Sequence, residues 1–171
     1  MSNTLYYVEG ECEKNLLKSF MYVDGYHFQP GRASVFNFIN QEFPLIKARA
    51  IPRGSKVAIA IDTDVKRIDL LKHNLKMLER HADIPKKDIV FLMSKDNLDE
   101  ELLFACSSLS RISQLFNTNG KAEFKKQFAS HQDLHHKLLG VGFDPRKMWT
   151  RVPDPPFDIF TNGGKKIVIK K

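Results

Sequence analysis

The chain has 171 residues, which suffices for one hydrophobic core with a small addition but hardly for two full domains. Apolar residues make up 42% and charged residues 27% of it, which excludes a wholly disordered chain and a fibrous repeat. Its formal net charge of +7 favours polyanionic partners, nucleic acid first among them.

Three features bear on where the protein acts. Residues 1–5 contain no basic region followed by an apolar run, so we predict no secretory signal. No apolar stretch approaches the ~20 residues that span a bilayer, so we expect no membrane partner. Cys12 and Cys106 lie far apart in unrelated contexts, which disfavours a disulfide framework. These features are typical of a cytoplasmic protein.

Strand and helix patterns alternate through the first part of the chain. Apolar or alternating runs predict strands, and apolar residues at intervals of three and four predict helices. The predicted strands are 4–8, 33–39, 56–61 and 89–93, the predicted helices are 13–21 and 65–81, and 44–51 is either a short helix or a crossover segment. This alternation predicts an α/β fold with right-handed crossovers and a central, mostly parallel four-stranded sheet flanked by helices.

Beyond residue 95 the pattern becomes mainly helical, with predicted helices at 97–107, 109–116, 122–128 and 134–139. Asn97, with Glu100 three positions later, is typical of a helix N-terminus. We therefore divide the chain into an α/β core over 1–95, a helical extension packed on it over 96–150, and a basic tail over 151–171. The tail is expected to form a hairpin or an added edge strand.

Acidic residues follow the predicted strands. Glu9 ends the first strand, and Asp62 and Asp64 end the third. Because ligands of parallel sheets collect at the carboxyl ends of the strands, and residues two apart on a strand share a face, these carboxylates are expected to converge. Mg²⁺ and Mn²⁺ prefer such oxygen ligands. The alternative for Asp62 is a cap on the following helix.

Two segments carry a family resemblance. Val8-Glu9-Gly10-Glu11-Cys12-Glu13 and Ala60-Ile61-Asp62-Thr63-Asp64 resemble, in order and separation, the two acidic motifs of the Toprim domain. Topoisomerases, bacterial primases, small ribosomal RNA maturases and the overcoming-lysogenization-defect nucleases share this domain. The resemblance covers about residues 4–95 and implies a Toprim-like, Rossmann-like core.

The resemblance also implies roles for particular residues. Glu9 would be a general acid or base or a metal-linked carboxylate, Asp62 and Asp64 would bind Mg²⁺ or Mn²⁺, and Glu13 would be a second-tier acid. The glycine that commonly follows the Asp-x-Asp motif in topoisomerases is replaced by Val65. We expect no topoisomerase activity, because strand passage needs a tyrosine-bearing domain and large gates.

Residues outside the two motifs complete the candidate site. The segment 97–102 is similar to the acidic segment after the fourth strand of nuclease-type Toprim proteins, which implies that Asp99 or Glu101 helps to hold a second metal ion. The alternative is an acidic first turn that complements the helix dipole. Four basic residues near the acids are candidates for contacting nucleic-acid phosphates, with solvated side chains as the alternative: Lys14, Lys66, Arg67 and Lys95.

These patterns lead to three functional hypotheses. The first is a Mg²⁺- or Mn²⁺-dependent nuclease that matures an RNA or acts in defence against phage and other mobile DNA. The second is a noncatalytic Toprim module that binds nucleic acid or a partner ATPase and works as a subunit of a larger complex; a homodimer is a further possible assembly. The third is an enzyme acting on small phosphate esters, which would turn over nucleotides without cutting polymers.

Overall fold

The structure is a computed structural model that describes residues 4–65 and 67–170. The strands of this part of the chain are β1 Thr4–Val8, β2 Tyr26–Phe28, β3 Gly31–Val35, β4 Lys56–Asp62, β5 Ile89–Ser94 and β6 Val168–Lys170. Its α-helices are α1 Glu11–Ser19, α2 Leu45–Arg49, α3 Ile68–His81, α4 Leu98–Ala105, α5 Lys121–Ser130, α6 Leu134–Leu139 and α7 Gly164–Ile167. None of these helices is both long and apolar enough to cross a membrane.

A four-stranded parallel sheet in the order β3-β1-β4-β5 forms the centre of the fold. This confirms the predicted α/β class and the predicted parallel pairing. Val57 to Ile61 of β4 are all buried, as expected for a strand that helices cover on both faces. Since the chain proceeds from β1 to β3 on one side and then to β4 on the other, the strand order reverses between β1 and β4. Ligands of open α/β sheets bind beside such a reversal.

Helices cover both faces of this sheet. One hydrophobic cluster joins Tyr6 and Val8 of β1 to α1, α4, α5 and α6. The other joins the opposite face of β4 to α3 and to the aromatic residues Phe38 and Phe43. The helices between residues 96 and 150 therefore share a core with β1 and α1, which brings residues distant in sequence close to the end of β1.

The second predicted strand differs in position from the observed one. We predicted 33–39, whereas β3 is Gly31–Val35. The reason lies in Asn37, whose side-chain oxygen accepts the N–H groups of Ile39 and Asn40, each at 3.0 Å. This local turn competes with the ladder and takes the chain out of the sheet.

One expectation for the second half of the chain is wrong, because the segment predicted as a helix at 109–116 contains only the 3₁₀ turn Ile112–Leu115. For the tail, the structure agrees with the second of the two alternatives. Within the described residues the tail forms no hairpin with itself; instead β6 adds as a strand antiparallel to β2, and Phe157–Ile159 is a 3₁₀ turn. Hairpin patterns are local, and β2 is too short to be recognised as the distant partner.

The tail also covers the exposed edge of the sheet. The side-chain amide of Asn162 makes the pair of hydrogen bonds that the backbone of a neighbouring strand would make with Met93. Its Oδ1 accepts the Met93 N–H at 2.7 Å, and its Nδ2 donates to the Met93 carbonyl at 2.8 Å. Nδ2 also donates to the Arg151 carbonyl at 2.8 Å, and the Gly163 N–H donates to the Phe91 carbonyl at 2.7 Å. These bonds protect an edge that could otherwise pair with another chain.

We expect Asn162→Ala to lower the free energy of unfolding by about 1–3 kcal/mol, because the Met93 N–H would lose its acceptor. Urea denaturation measures this loss, and hydrogen exchange should show faster exchange at the Met93 amide. Thr161→Ala, at the exposed neighbouring position, is the control and should change stability by less than about 0.5 kcal/mol. Equal stability of the two variants would contradict a role for the amide in holding the edge.

Candidate active site

A cavity of about 310 Å³ lies at the carboxyl ends of β1 and β4, where the strand order reverses. We call it the acidic cavity. Its lining residues are Glu9, Gly10, Glu11, Cys12, Glu13, Asp62, Asn97, Leu98, Asp99 and Lys125. Five carboxylic acids from three segments of the chain thus surround one space.

Glu9 and Asp62 meet directly because β1 and β4 are neighbours in the sheet. The backbone N–H of Asp62 donates a hydrogen bond to Oε2 of Glu9 at 3.0 Å. This contact fixes the Glu9 side chain across the ends of the two strands. The structure therefore brings together two of the acids that the motifs singled out.

Glu13 joins them from the first turn of α1. It is buried, with 7% of its surface exposed, and its Oε2 accepts the Gly10 N–H at 3.0 Å. An acid at this position satisfies a backbone donor that the start of the helix leaves free. Glu13 therefore holds the turn that connects Glu9 to α1.

The acids raise one another's pKa values. Burial raises the pKa of Asp62 to about 8, and the charges of Glu13 and Glu9 add to the rise. The Ser94 hydroxyl and the Leu98 N–H lower this pKa and so oppose the rise in part. Burial likewise raises the pKa of Glu9, although the Asp62 N–H opposes the rise, and burial and the Glu9 charge raise the pKa of Glu13. Carboxyl groups in such surroundings favour a proton or a cation as a partner.

Asp64 lies beside the acidic cavity rather than in its lining. Its side chain is exposed, and its backbone N–H donates to the Asp96 carbonyl at 3.0 Å. Strand geometry ends at Asp62, because Thr63 turns toward β5 and donates its hydroxyl to the Ser94 carbonyl at 2.9 Å. The charge of Asp64 still raises the pKa of Glu9, so the two carboxylates are close enough to interact.

Asp62 does not cap the helix that follows it. α3 begins at Ile68 after Arg67, and no side chain caps its first turn. The alternative interpretation of Asp62 as the cap of that helix is therefore wrong. The carboxylate instead lies near Leu98, the first residue of α4, whose N–H opposes the rise in the pKa of Asp62.

The acids of α4 separate into two environments. Asp99 is buried and lines the acidic cavity. Glu101 has no exposed surface, and both of its carboxylate oxygens accept hydrogen bonds inside the protein. Oε1 accepts one from the backbone N–H of Trp149 at 2.7 Å, and Oε2 accepts one from the guanidinium of Arg151 at 2.7 Å. We therefore retain Asp99 as a candidate metal ligand and assign Glu101 to the structure. Asn97 caps α4 as predicted, accepting the Glu100 N–H at 3.2 Å.

The predicted phosphate-binding residues are dispersed. Lys14 pairs with Glu11 at 2.9 Å, and Lys95 pairs with Asp154 at 3.3 Å. Arg67 is exposed at the start of α3, and Lys66 lies outside the described residues. Lys14, Arg67 and Lys95 are absent from the lining of the acidic cavity.

The cation that does line the cavity is Lys125 of α5, which sequence reasoning missed. It reaches the site because α5 packs on α1, where the Asn15 side chain donates to the Phe128 carbonyl at 2.7 Å. Its charge lowers the pKa values of both Glu9 and Glu13. No local pattern distinguishes Lys125 from other helix-surface lysines, so only tertiary packing could reveal it.

Cys12 is a packed residue rather than a nucleophile. Its Sγ donates a weak hydrogen bond to the Lys125 carbonyl at 3.5 Å. Burial, together with the charge of Glu13, raises the pKa of the thiol to about 12. The thiolate needed for nucleophilic attack is therefore disfavoured at neutral pH.

The donor set of the cavity fits Mg²⁺ or Mn²⁺. Within residues 4–65 and 67–170, no three His, Cys, Asp or Glu side chains form a preformed metal-binding cluster. Mg²⁺ does not require one, since it is commonly held by one or two carboxylates while water and substrate phosphates complete the shell. Glu9 and Asp62 can supply these carboxylates.

Comparisons with protein-family models, curated proteins and solved structures find no match for this chain. The resemblance to the Toprim domain therefore depends on the two acidic sequence motifs alone.

Proposed function

We propose that this protein is a divalent-metal-dependent nuclease with a Toprim-like core, which hydrolyses phosphodiester bonds of nucleic acid. One observation carries the proposal: Glu9 and Asp62 meet at the carboxyl ends of adjacent parallel strands, within a cavity lined by further acids. Their raised pKa values are typical of groups poised to exchange a proton for a cation.

Four acids in or beside the acidic cavity have proposed parts in this chemistry. Asp62 and Glu9 would hold Mg²⁺ or Mn²⁺, with Asp64 and Asp99 as nearby further ligands. The ion would lower the pKa of a bound water and offset the charge that develops on the phosphate. Glu9, whose pKa is raised, is suited to exchange a proton during the reaction.

Charge supports a nucleic-acid substrate. The net charge of +7 attracts a polyanion, and Lys125 places a cation at the acidic cavity itself, where a phosphate must approach several carboxylates. Such a nuclease would either mature an RNA or act in defence against phage or other mobile DNA.

The second candidate is a noncatalytic Toprim module that binds nucleic acid, a partner ATPase or another copy of the chain. One observation favours it: Glu9 and Glu13 each accept a backbone N–H from within the protein. Such bonds give both motif acids a structural use even without catalysis.

A cleavage assay separates the two candidates. We expect the wild-type protein to cut labelled DNA or RNA oligonucleotides in Mg²⁺ or Mn²⁺ but not in EDTA. Glu9→Gln should lower the rate by about 100-fold or more while the protein stays folded, because a proton-transfer group contributes about 100- to 10,000-fold. Glu79→Gln, on the exposed face of α3, is the matched control and should cut at the wild-type rate.

Absence of cleavage on every polymer, with retained binding to nucleic acid, would support the noncatalytic module instead. Turnover of nucleotides without cutting of polymers would support an enzyme of small phosphate esters. Metal-dependent cutting that survives Glu9→Gln would remove the acidic cavity as the site.

A further inference from the structure

A second cavity, of about 670 Å³, lies next to the acidic cavity, and apart from Asp99 none of its lining residues has a part in the chemistry proposed above. We call it the side cavity. It is enclosed by α4, by the 3₁₀ turn Ile112–Leu115, and by the segment that leads into α5. Asp99 lines both cavities, so the two spaces meet at this residue.

Two cations face the side cavity. Arg111 and Lys121 line it, both are exposed, and within residues 4–65 and 67–170 neither side chain forms an ion pair. They remain unpaired although Asp99 and Glu100 also line the cavity. Exposed guanidinium and ammonium groups in this state are available to an external anion.

The cations continue from one cavity to the other. Lys121 and Lys125 lie four residues apart on α5, so they share a helix face and are separated by about 6 Å along the axis. Lys121 lines the side cavity and Lys125 lines the acidic cavity. Arg111, Lys121 and Lys125 therefore form a positive path that leads to the carboxylates.

The remaining lining indicates which part of a nucleic acid would be recognised. Hydroxyl and amide side chains such as Ser110, Ser113 and Asn117 predominate, and these are donors suited to phosphate and sugar oxygens. The one aromatic residue in the lining, Phe124, has no exposed surface and packs in the core. The side cavity therefore lacks a platform on which bases could stack.

We propose that the side cavity binds the nucleic-acid strand next to the phosphodiester that is cleaved, with Arg111 and Lys121 contacting its backbone phosphates. The placement of the cleaved bond in the acidic cavity rests on the proposed function. Binding through phosphates alone carries little sequence preference, so we expect the affinity to depend little on base sequence.

Binding to fluorescein-labelled single-stranded DNA and RNA oligonucleotides in EDTA, measured by fluorescence anisotropy, tests this proposal without cleavage. We expect the double variant Arg111→Ala, Lys121→Ala to reduce the dependence of log affinity on log salt by about 1.4, since each phosphate contact on a single strand contributes about 0.7. At 0.1 M salt this corresponds to roughly 20-fold weaker binding. The loss should be equal for oligonucleotides of different sequence.

The matched control removes the same charges at the opposite end of the sheet. Arg53 and Lys87 are exposed, precede β4 and β5 respectively, and lie far from both cavities. The double variant Arg53→Ala, Lys87→Ala should keep the wild-type affinity and salt dependence. The exchange Arg111→Lys, Lys121→Arg should also keep most of the affinity, because it retains both charges.

Equal losses in the two alanine variants, or no loss in either, would overturn the proposal, as would a wild-type protein that binds neither oligonucleotide. These outcomes are independent of catalysis. If the wild-type protein binds through Arg111 and Lys121 but never cuts in the presence of metal, the side cavity stands and the nuclease proposal fails.

Discussion

Asp62→Asn is expected to make the metal-free protein more stable at pH 8 while abolishing metal-dependent cleavage. Burial and the charges of Glu13 and Glu9 raise the pKa of Asp62 to about 8, whereas an aspartate in the unfolded chain has a pKa near 3.9. Between about pH 4 and pH 8 the folded protein therefore holds a proton that the unfolded chain has released.

The sign of the effect follows from this difference in protons. The contribution of Asp62 to the free energy of unfolding is fully present below about pH 4. It falls as the pH rises toward 8, by at most about 1.4 kcal/mol per pH unit, because the folded state binds the extra proton. Asparagine cannot ionise, so the variant lacks this fall. At pH 8 we expect it to be more stable than the wild type by on the order of 2 kcal/mol, since solvent screens a half-buried group.

Metal should reduce this difference in stability between the wild type and the variant. If Mg²⁺ binds ionised Asp62, a concentration about tenfold above the dissociation constant stabilises the wild type by about 1.4 kcal/mol at pH 8. The gain should be smaller at pH 6, because the ion must displace a proton, and absent from Asp62→Asn.

Urea denaturation at pH 6 and pH 8, with and without Mg²⁺, measures all of these differences. Asp158→Asn, an exposed substitution of the same chemistry, is the control and should respond to pH and to metal as the wild type does. A wild-type protein that gains nothing from Mg²⁺ or Mn²⁺ at pH 8 would argue against a metal site at Asp62.

Glu101→Ala should destabilise the protein by about 3–5 kcal/mol, because it leaves the partly buried guanidinium of Arg151 without its partner. Glu101 has no exposed surface, and Oε2 accepts Nη2 and Nε of Arg151 at 2.7 and 3.1 Å. The substitution would also leave the buried backbone N–H of Trp149 without an acceptor, because that group donates to Oε1 of Glu101 at 2.7 Å. Fluorescence of Trp149, the single tryptophan of the chain, reports unfolding in urea from within this network.

A double substitution separates the charge from the packing. Replacing both Glu101 and Arg151 with methionine should recover much of the lost stability, because a buried ion pair is often no more stabilising than apolar residues of similar volume. Glu100→Ala, on the exposed side of α4, is the control and should cost less than about 1 kcal/mol. If Glu101 were instead a metal ligand, its replacement would remove stabilisation by Mg²⁺, an outcome that the observed contacts argue against.

The central strands and the positions of the acids at their ends could be predicted because their patterns are local. Thr4–Val8 is a β-branched and aromatic run, Val57–Ile61 is a continuous apolar run, and each is followed by an acid. Once two such strands are adjacent and parallel, their terminal carboxylates must lie at the same edge of the sheet. The cap at Asn97 was also predictable, because it depends on a residue only three positions away.

The sequence by itself determined the parallel sheet, the positions of Glu9 and Asp62 at its carboxyl edge, and the positive charge that favours a polyanion. Only the tertiary structure decided that Lys125 rather than Lys14 or Lys95 faces the acids, that Glu101 binds Arg151, and that β6 pairs with β2. The physical reason is the same in each case. These contacts join segments far apart in the chain, and their partners are selected by packing between whole helices and strands, which no local pattern of residues encodes.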